Sequence, residues 1–501
     1  MDNKDEFVKL KEIEFENFKG FKKKTSLKIN PLTLLSGLNG AGKSTIAQIL
    51  LLIKQSSSTL QNLLEKDSEI PYLQLNGDLI KLGEVVDVVN DQEKNLYFKL
   101  IFEDNTKISF AFKPKKVLQI PSLHKKFKYL LELESFCFEN NKNNSALKIY
   151  HNNNSWNVMA LNSLVFNDLD FQDLLKAYFN EKNEGKEDYK FDEVLSESVQ
   201  FSKVQNLSFL GLLLYSFRIK FEELKNCVSE KYSEIFSVRD FKKYIKDKIE
   251  SDGIELRFSL LQCMDYFETI RLLKYFEPFR GLPQRVYDET VDNNPLEILD
   301  KSTSETIAYK YDFNAKKIIS GTIEQAMTYW LNDQFHLADG YEINELVENL
   351  ISEAIILENG KRFTINNVGF GVSQILPLIS RILLSKNSII IVDEPECHLH
   401  PGLQSKIGEF LLNMCMLKKT IIVETHSEHI INIITYFSLK YDEVAKMVKS
   451  YWVYKNRETS CIKEILYDDY GFPQNAPKGF YDETERIVQA LSEIRAKKML
   501  D

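Results

Sequence analysis

Paired cysteines are missing from this chain. Its six cysteines, Cys137, Cys227, Cys263, Cys397, Cys415 and Cys461, are scattered, and no two form a CxxC pair. That pattern points away from a zinc ribbon and from a disulfide framework. A membrane-spanning run is missing too: the apolar stretch near the middle, Phe209–Tyr215, falls far short of the roughly 20 residues a span requires. The opening residues, MDNKDEF, are polar and acidic, unlike a secretory signal. These features lead us to expect a cytoplasmic, reduced protein with no membrane partner. An excess of positive charge is also lacking. The net charge of −9 argues against coating nucleic acid over the whole surface, but a local basic patch remains open because distribution, not the sum, sets the electrostatic footprint.

What is present is a long chain of 501 residues, 44% of them hydrophobic, enough for a sizeable core in more than one domain. Residues 8–35 alternate like strands, and Thr45–Gln55 reads as a buried helix. Asn140–Asn144, Asn152–Asn154 and the charged Glu181–Lys190 read as inserted loops. From about Leu207 to Phe279 the apolar spacing turns helical, which predicts a helical arm ending near Gly281 and Pro283.

The strongest motif is Gly37-Leu38-Asn39-Gly40-Ala41-Gly42-Lys43-Ser44, followed by Thr45. It fits GxxxxGK[ST], follows an apolar strand and opens a helix. Backbone N–H groups of such a turn and the helix N-terminus face a phosphate chain. Lys43 is expected to reach the terminal phosphates of ATP, and Ser44 to ligate Mg²⁺. A second motif, Ile389–Val392 then Asp393-Glu394-Pro395, places two carboxylates after a buried strand. Strand C-termini are where ligands bind in parallel sheets. Asp393 is expected in the metal shell and Glu394 against the attacking water. A third, Ile421–Val423 followed by Glu424-Thr425-His426-Ser427, ends another apolar strand in polar residues, with His426 placed to sense the γ-phosphate. A fourth, Gly369-Phe370-Gly371-Val372-Ser373-Gln374, joins glycines to a helix start and is either an anion-binding N-terminus or a plain cap.

The order of these four motifs resembles the ABC/SMC ATPase superfamily. The long separation of Ser44 from Ser373 is similar to SMC-type and OLD-type heads, in which an insertion splits two lobes, rather than to transporter subunits. EPECHLHP (394–401), VETHSEHII, NFKGF (17–21), LTLLSGLNGAGKST and VGFGVSQILPLI resemble the prokaryotic OLD-like branch of AAA family ATPases. GFPQNAPKGFYDET, near the C-terminus, resembles the tail of a group encoded in anti-phage loci that include Septu systems. The resemblance spans about residues 8–100 and 275–490.

It implies an α/β fold: an ABC-type head with two lobes split by a largely helical insertion. The boundaries expected are 1–110 for a first lobe carrying the phosphate loop, 111–280 for the insertion, 281–450 for a second lobe and 451–501 for a tail domain. By resemblance, Lys43, Ser44, Asp393, Glu394 and His426 take nucleotide roles, while Gly371 and Ser373 serve the nucleotide of an opposing subunit. His400 stands where transporter subunits carry Asp. Gln55 and Gln74 are the candidates for a further glutamine near the phosphates.

The function implied is an ATPase subunit of a homodimer or higher homo-oligomer, controlling an effector nuclease in anti-phage defence. Alternatives are a RecF-type repair ATPase and an ATP-sensing scaffold that restrains a toxin. The residues after His426, among them Asp468, Asp469, Asp482 and Glu483, show no spacing of a metal-binding carboxylate cluster, so the chain is not expected to be the nuclease itself. DNA contact is open at a run of lysines without acidic residues: Lys107, Lys113, Lys115, Lys116, Lys125, Lys126 and Lys128. The other reading of that run is a solvated sheet face. Arg280 is a candidate for phosphate or subunit contact, or else a structural ion pair.

Overall fold

The computed structural model describes residues 8–57, 72–116, 129–140, 145–152, 155–161, 266, 269–278, 287–288, 306–347, 351–385, 388–475, 477, 487 and 490–495. The expected helical arm lies outside them except for residue 266 and residues 269–278, as do Arg280, Lys125, Lys126 and Lys128.

The strands in chain order are β1 (Leu10–Glu16), β2 (Thr25–Lys28), β3 (Leu32–Gly37), β4 (Leu96–Phe102), β5 (Lys107–Lys116), β6 (Tyr129–Asn140), β7 (Ser145–Asn152), β8 (Ser155–Leu161), β9 (Lys274–Phe276) and β10 (Tyr287–Asp288). They continue with β11 (Ile307–Asp312), β12 (Lys317–Gly321), β13 (Gly340–Val347), β14 (Ile351–Glu358), β15 (Lys361–Thr364), β16 (Ile389–Asp393), β17 (Thr420–Glu424), β18 (Val448–Asn456) and β19 (Thr459–Ile465). The helices used below are α1 (Lys43–Gln55), α2 (Phe370–Leu384), α3 (Pro401–Met416) and α4 (Glu428–Lys440). The chain is thus α/β, as its sequence implies, and divides into two compact units.

The first unit comprises residues 1–26 and 50–271. Its sheet runs β2-β1-β4-β5-β6-β7-β8, with antiparallel pairing from β1 through β8. Strand β4, LYFKLIF, alternates strictly and buries Leu96, Phe98, Leu100 and Phe102. One face of an antiparallel sheet can stay wet while the other packs, which produces this period of two. The packed face is rich in phenylalanine: Phe15, Phe98, Phe110, Phe112 and Phe138 are all fully buried.

The second unit comprises residues 27–49 and 272–501. Its central sheet runs β19-β18-β3-β17-β16-β9, parallel except for the terminal β18–β19 hairpin. Strands β3, β16 and β17 are buried at every position. Burial on both faces is why they read as unbroken apolar runs, LTLLS, IIIV and TIIV, instead of alternating. Ile375, Leu378, Ile379 and Ile382 of α2, Ile407, Phe410 and Leu411 of α3, and Ile430 and Ile434 of α4 share one core with them. Smaller sheets, β10-β14-β13 with β15 on β14, and β11-β12, belong to the same unit.

Two placements differ from the expected domain boundaries. The phosphate loop clusters with residues 272–501, not with the antiparallel sheet that follows it in sequence. Strands β18 and β19 carry the start of the expected tail into the central sheet, because the apolar SYWVY of β18 pairs in parallel with β3.

Candidate active site

The site grows from the C-terminal ends of three adjacent strands. In the order β3, β17, β16, the Cα register sets Leu35 beside Glu424 and Glu424 beside Asp393. The phosphate loop leaves β3 at Gly37, whose φ of +151° only glycine adopts readily. A Cβ built there would lie 2.1 Å from the carbonyl oxygen of Val453, so glycine is also what lets β18 approach. Gly42, with φ +114°, turns the loop into α1. Around Gly40 nothing lies within 4 Å of the position a Cβ would take, leaving that backbone open toward a ligand. Leu38, Asn39 and Gly40 are exposed, whereas Ala41, Lys43 and Thr45 are buried and anchor the loop.

Lys43 is only 4% exposed. Its ammonium donates to the carbonyls of Gly37 (3.1 Å) and Leu38 (3.2 Å), so it rests in its own loop. Burial lowers its pKa, opposed by the negative charge of Glu424, Glu394, Asp393 and Glu396. Ser44 donates to Glu424 Oε1 at 2.8 Å. Asp393, 5% exposed, accepts from the Tyr275 hydroxyl at 3.0 Å. Burial, reinforced by the charge of Glu394, raises the Asp393 pKa against that hydrogen bond. Burial, and then the charge of Asp393, raises that of Glu424.

Glu394 has φ +41°, a left-handed conformation unusual for a side chain with a Cβ. Its backbone N–H to Glu424 O (2.8 Å) holds it there. Strain of this kind gathers at functional sites. Its carboxylate meets His426 Nε2 at 3.6 Å and accepts from Cys397 Sγ at 3.1 Å. Burial and the nearby Lys43 charge lower the His426 pKa, opposed by the Glu394 carboxylate. Glu396 fixes the turn by accepting the His426 backbone N–H at 2.5 Å, and burial raises its pKa.

Gly371 and Ser373 lie in the first turn of α2, which starts after the N-cap Gly369. Ser373 is buried, 4% exposed, and a Cβ on Gly371 would sit 3.6 Å from a Leu399 methyl, in the segment after Glu394. His400 is the N-cap of α3: its Nδ1 accepts from Gly402 N at 3.3 Å, with Pro401 in the first turn. Gln55 spends its amide on backbone, accepting from Leu79 and Ile80 and donating to Gln74 O and Ile80 O.

The structure therefore gathers Lys43, Ser44, Asp393, Glu394 and His426 around one loop. It adds two residues the sequence reading did not assign, Glu424 and Tyr275. Glu424 could have been found as a carboxylate ending a buried strand, as Asp393 was; Tyr275 carried no signal.

The donors suit a hard divalent cation: a hydroxyl and two carboxylates, both buried and raised in pKa by that burial. Among the described residues, no three His, Cys, Asp or Glu side chains form a ready-made metal cage.

A glycine loop closing a buried parallel strand, its lysine among carboxylates from the neighbouring strands, defines a P-loop ATPase domain. The chain belongs to the AAA ATPase domain family, whose model matches residues 9–431. Comparison with curated proteins gives no match. Among solved structures, the chain is similar to the Smc head domain with an extended coiled coil bound to the C-terminal domain of ScpA from Pyrococcus furiosus. Identity there is 11%, over 97% of this chain and 99% of that one, with a TM-score of 0.37. The SMC head domain from Thermotoga maritima is 10% identical, covering 92% and 100%, with a TM-score of 0.34. The Smc head domain with a coiled coil and joint from Pyrococcus yayanosii is 10% identical, covering 91% and 97%, with a TM-score of 0.35. No helix among the described residues is long and apolar enough to cross a membrane.

Proposed function

We propose that this chain is a cytoplasmic ATPase subunit that binds ATP with Mg²⁺, hydrolyses it, and pairs with a second copy to control a partner effector nuclease in anti-phage defence. The observation that carries the ATPase reading is the convergence of Lys43, Glu394 and His426 on one glycine loop, with Glu394 and His426 3.6 Å apart.

In this reading, backbone N–H groups of Gly40, Ala41, Gly42 and Lys43 cradle the phosphates, with Gly37, Asn39 and Thr45 shaping the loop. Lys43 leaves the Gly37 and Leu38 carbonyls for the terminal phosphates. Ser44 and Asp393 would hold Mg²⁺, which would supply charge neutralisation. Glu394 orients and deprotonates water, and His426 donates to the terminal phosphate. Gly371 and Ser373 serve the nucleotide of the opposite copy, a role for which pairing has to uncover the buried Ser373 hydroxyl.

Residues 111–280 are the insertion between lobes in this reading. In this reading the chain is not itself the nuclease; Asp468 Oδ1 accepts from the N–H groups of Tyr470 and Phe472 in a turn, and Asp482 and Glu483 lie outside the described residues. The test is ATP turnover by the purified chain, with and without DNA, beside K43A. We expect ATP binding that K43A abolishes, slow turnover, and no cleavage of plasmid by the chain alone. Strong DNA stimulation would favour a RecF-type repair ATPase. Binding with scarcely any turnover would favour a nucleotide-sensing scaffold that restrains a toxin.

A further inference from the structure

The phosphate-loop serine does not pair with Asp393, the carboxylate expected to share its cation. Ser44 Oγ donates instead to Glu424 Oε1, at 2.8 Å. The reason is topological: β17 lies between β3 and β16, so the last residue of β17 stands between the phosphate loop and Asp393. Glu424 is only 3% exposed. Its second oxygen, Oε2, is fully buried and receives no hydrogen bond, while the Glu424 carboxyl as a whole stands within hydrogen-bond reach of Asp393. Its Cα partner across the strand pair is Asp393, itself buried. Two buried neighbouring carboxylates repel each other; Lys43 offsets part of that charge here, and a proton or a cation between them removes the rest. A proton would give one acid and one acceptor; a cation would satisfy both groups and the orphaned oxygen together.

We infer that Glu424 is a third protein ligand of the divalent cation, with Ser44 and Asp393, and that this site takes up a hard divalent cation before nucleotide arrives. The inference rests on the reading of Ser44 and Asp393 as cation ligands. A P-loop that offers one hydroxyl and one carboxylate depends on the phosphates to hold Mg²⁺. Two buried carboxylates and the exposed Ser44 hydroxyl, all oxygen donors, hold a cation without them. Ser44 can keep donating its proton to Glu424 while a lone pair of its oxygen faces the metal. Lys43 need not move, since its ammonium rests on loop carbonyls.

The experiment titrates Mn²⁺ into the full chain without nucleotide at fixed pH, following free Mn²⁺ by electron paramagnetic resonance. Wild type, E424Q, E424D and D393N are compared. The expected result is one saturable Mn²⁺ per wild-type chain and an affinity at least about tenfold weaker in E424Q and D393N, the scale on which even supporting ligands act. E424D keeps the charge but withdraws the oxygens, and is expected to weaken binding as well. Circular dichroism confirms that each variant is folded. Should every Glu424 variant unfold, the wild type still decides: a thermal shift with Mn²⁺ alone is expected, and its absence overturns the inference. So does the absence of saturable Mn²⁺ binding, or E424Q binding Mn²⁺ like wild type, which would make Glu424 a hydrogen-bond bridge. A parallel titration with a fluorescent ATP analogue in saturating Mg²⁺ keeps the two readings apart. Nucleotide binding that K43A abolishes, without nucleotide-free Mn²⁺ binding, sinks this inference and leaves the ATPase intact; loss of nucleotide binding in wild type sinks the ATPase reading itself.

Discussion

Glu394 Oε1 and His426 Nε2 lie 3.6 Å apart, brought together from the ends of neighbouring parallel strands. On the proposed function one is the general base and the other a sensor of the terminal phosphate, which separates what their substitutions should do.

Replacing Glu394 by Gln should leave ATP binding in place and stop hydrolysis, holding two chains together with nucleotide at their interface. Light scattering with and without ATP reads the outcome. An unchanged mass in both conditions argues against composite sites, or for an oligomer already formed.

Replacing His426 by Ala should lower kcat by about 100-fold or more, the usual scale for a positioned proton donor or acceptor, with little change in KM. Steady-state phosphate release checks it. Wild-type turnover would reduce His426 to a structural residue.

Gly37→Ala should destabilise the second unit even without nucleotide. The added methyl would meet the Val453 carbonyl at 2.1 Å, at a φ unfavourable for alanine. Overpacking of this kind costs roughly 1–3 kcal/mol. Urea denaturation should show the loss as a lower midpoint, with weakened ATP binding in the surviving fold.

Tyr275→Phe removes the hydroxyl that donates to Asp393 Oδ2. A buried acceptor left without its donor costs about 1–3 kcal/mol, so the nucleotide-free protein should melt earlier. Should thermal melting be unchanged, Asp393 has found another donor.

Charge reversal at Lys113 and Lys115 should leave any DNA affinity unchanged. These residues face Glu134 (3.8 Å) and Glu132 (2.8 Å) on β6, and Lys107 faces Glu139 (3.0 Å). Charge that the sequence shows as an unopposed run is offset across the β5–β6 pair. Each exposed pair is worth less than ~1 kcal/mol, so stability should hardly move. Reversal at Lys125, Lys126 and Lys128 should instead weaken DNA binding and flatten its salt dependence, if DNA binds at all. Fluorescence anisotropy at low salt distinguishes the two sets.

By itself the sequence determined the local devices. The spacing of Gly37, Gly42, Lys43 and Ser44 already specifies a phosphate loop, since glycine conformations and a helix start are properties of a short stretch. The unbroken apolar runs before Asp393 and Glu424 specify strands buried on both faces. Tertiary structure alone decided which strands are neighbours. No pattern within β17 says that it lies between β3 and β16, yet that order hands Ser44 to Glu424. Nothing in SYWVY says that β18 closes against β3, which makes Gly37 obligatory for packing as well as for the loop. Periodicity reports how a strand meets its core. Strand order is set by how the helices and sheets share that core, and the chemistry of this site follows from that order.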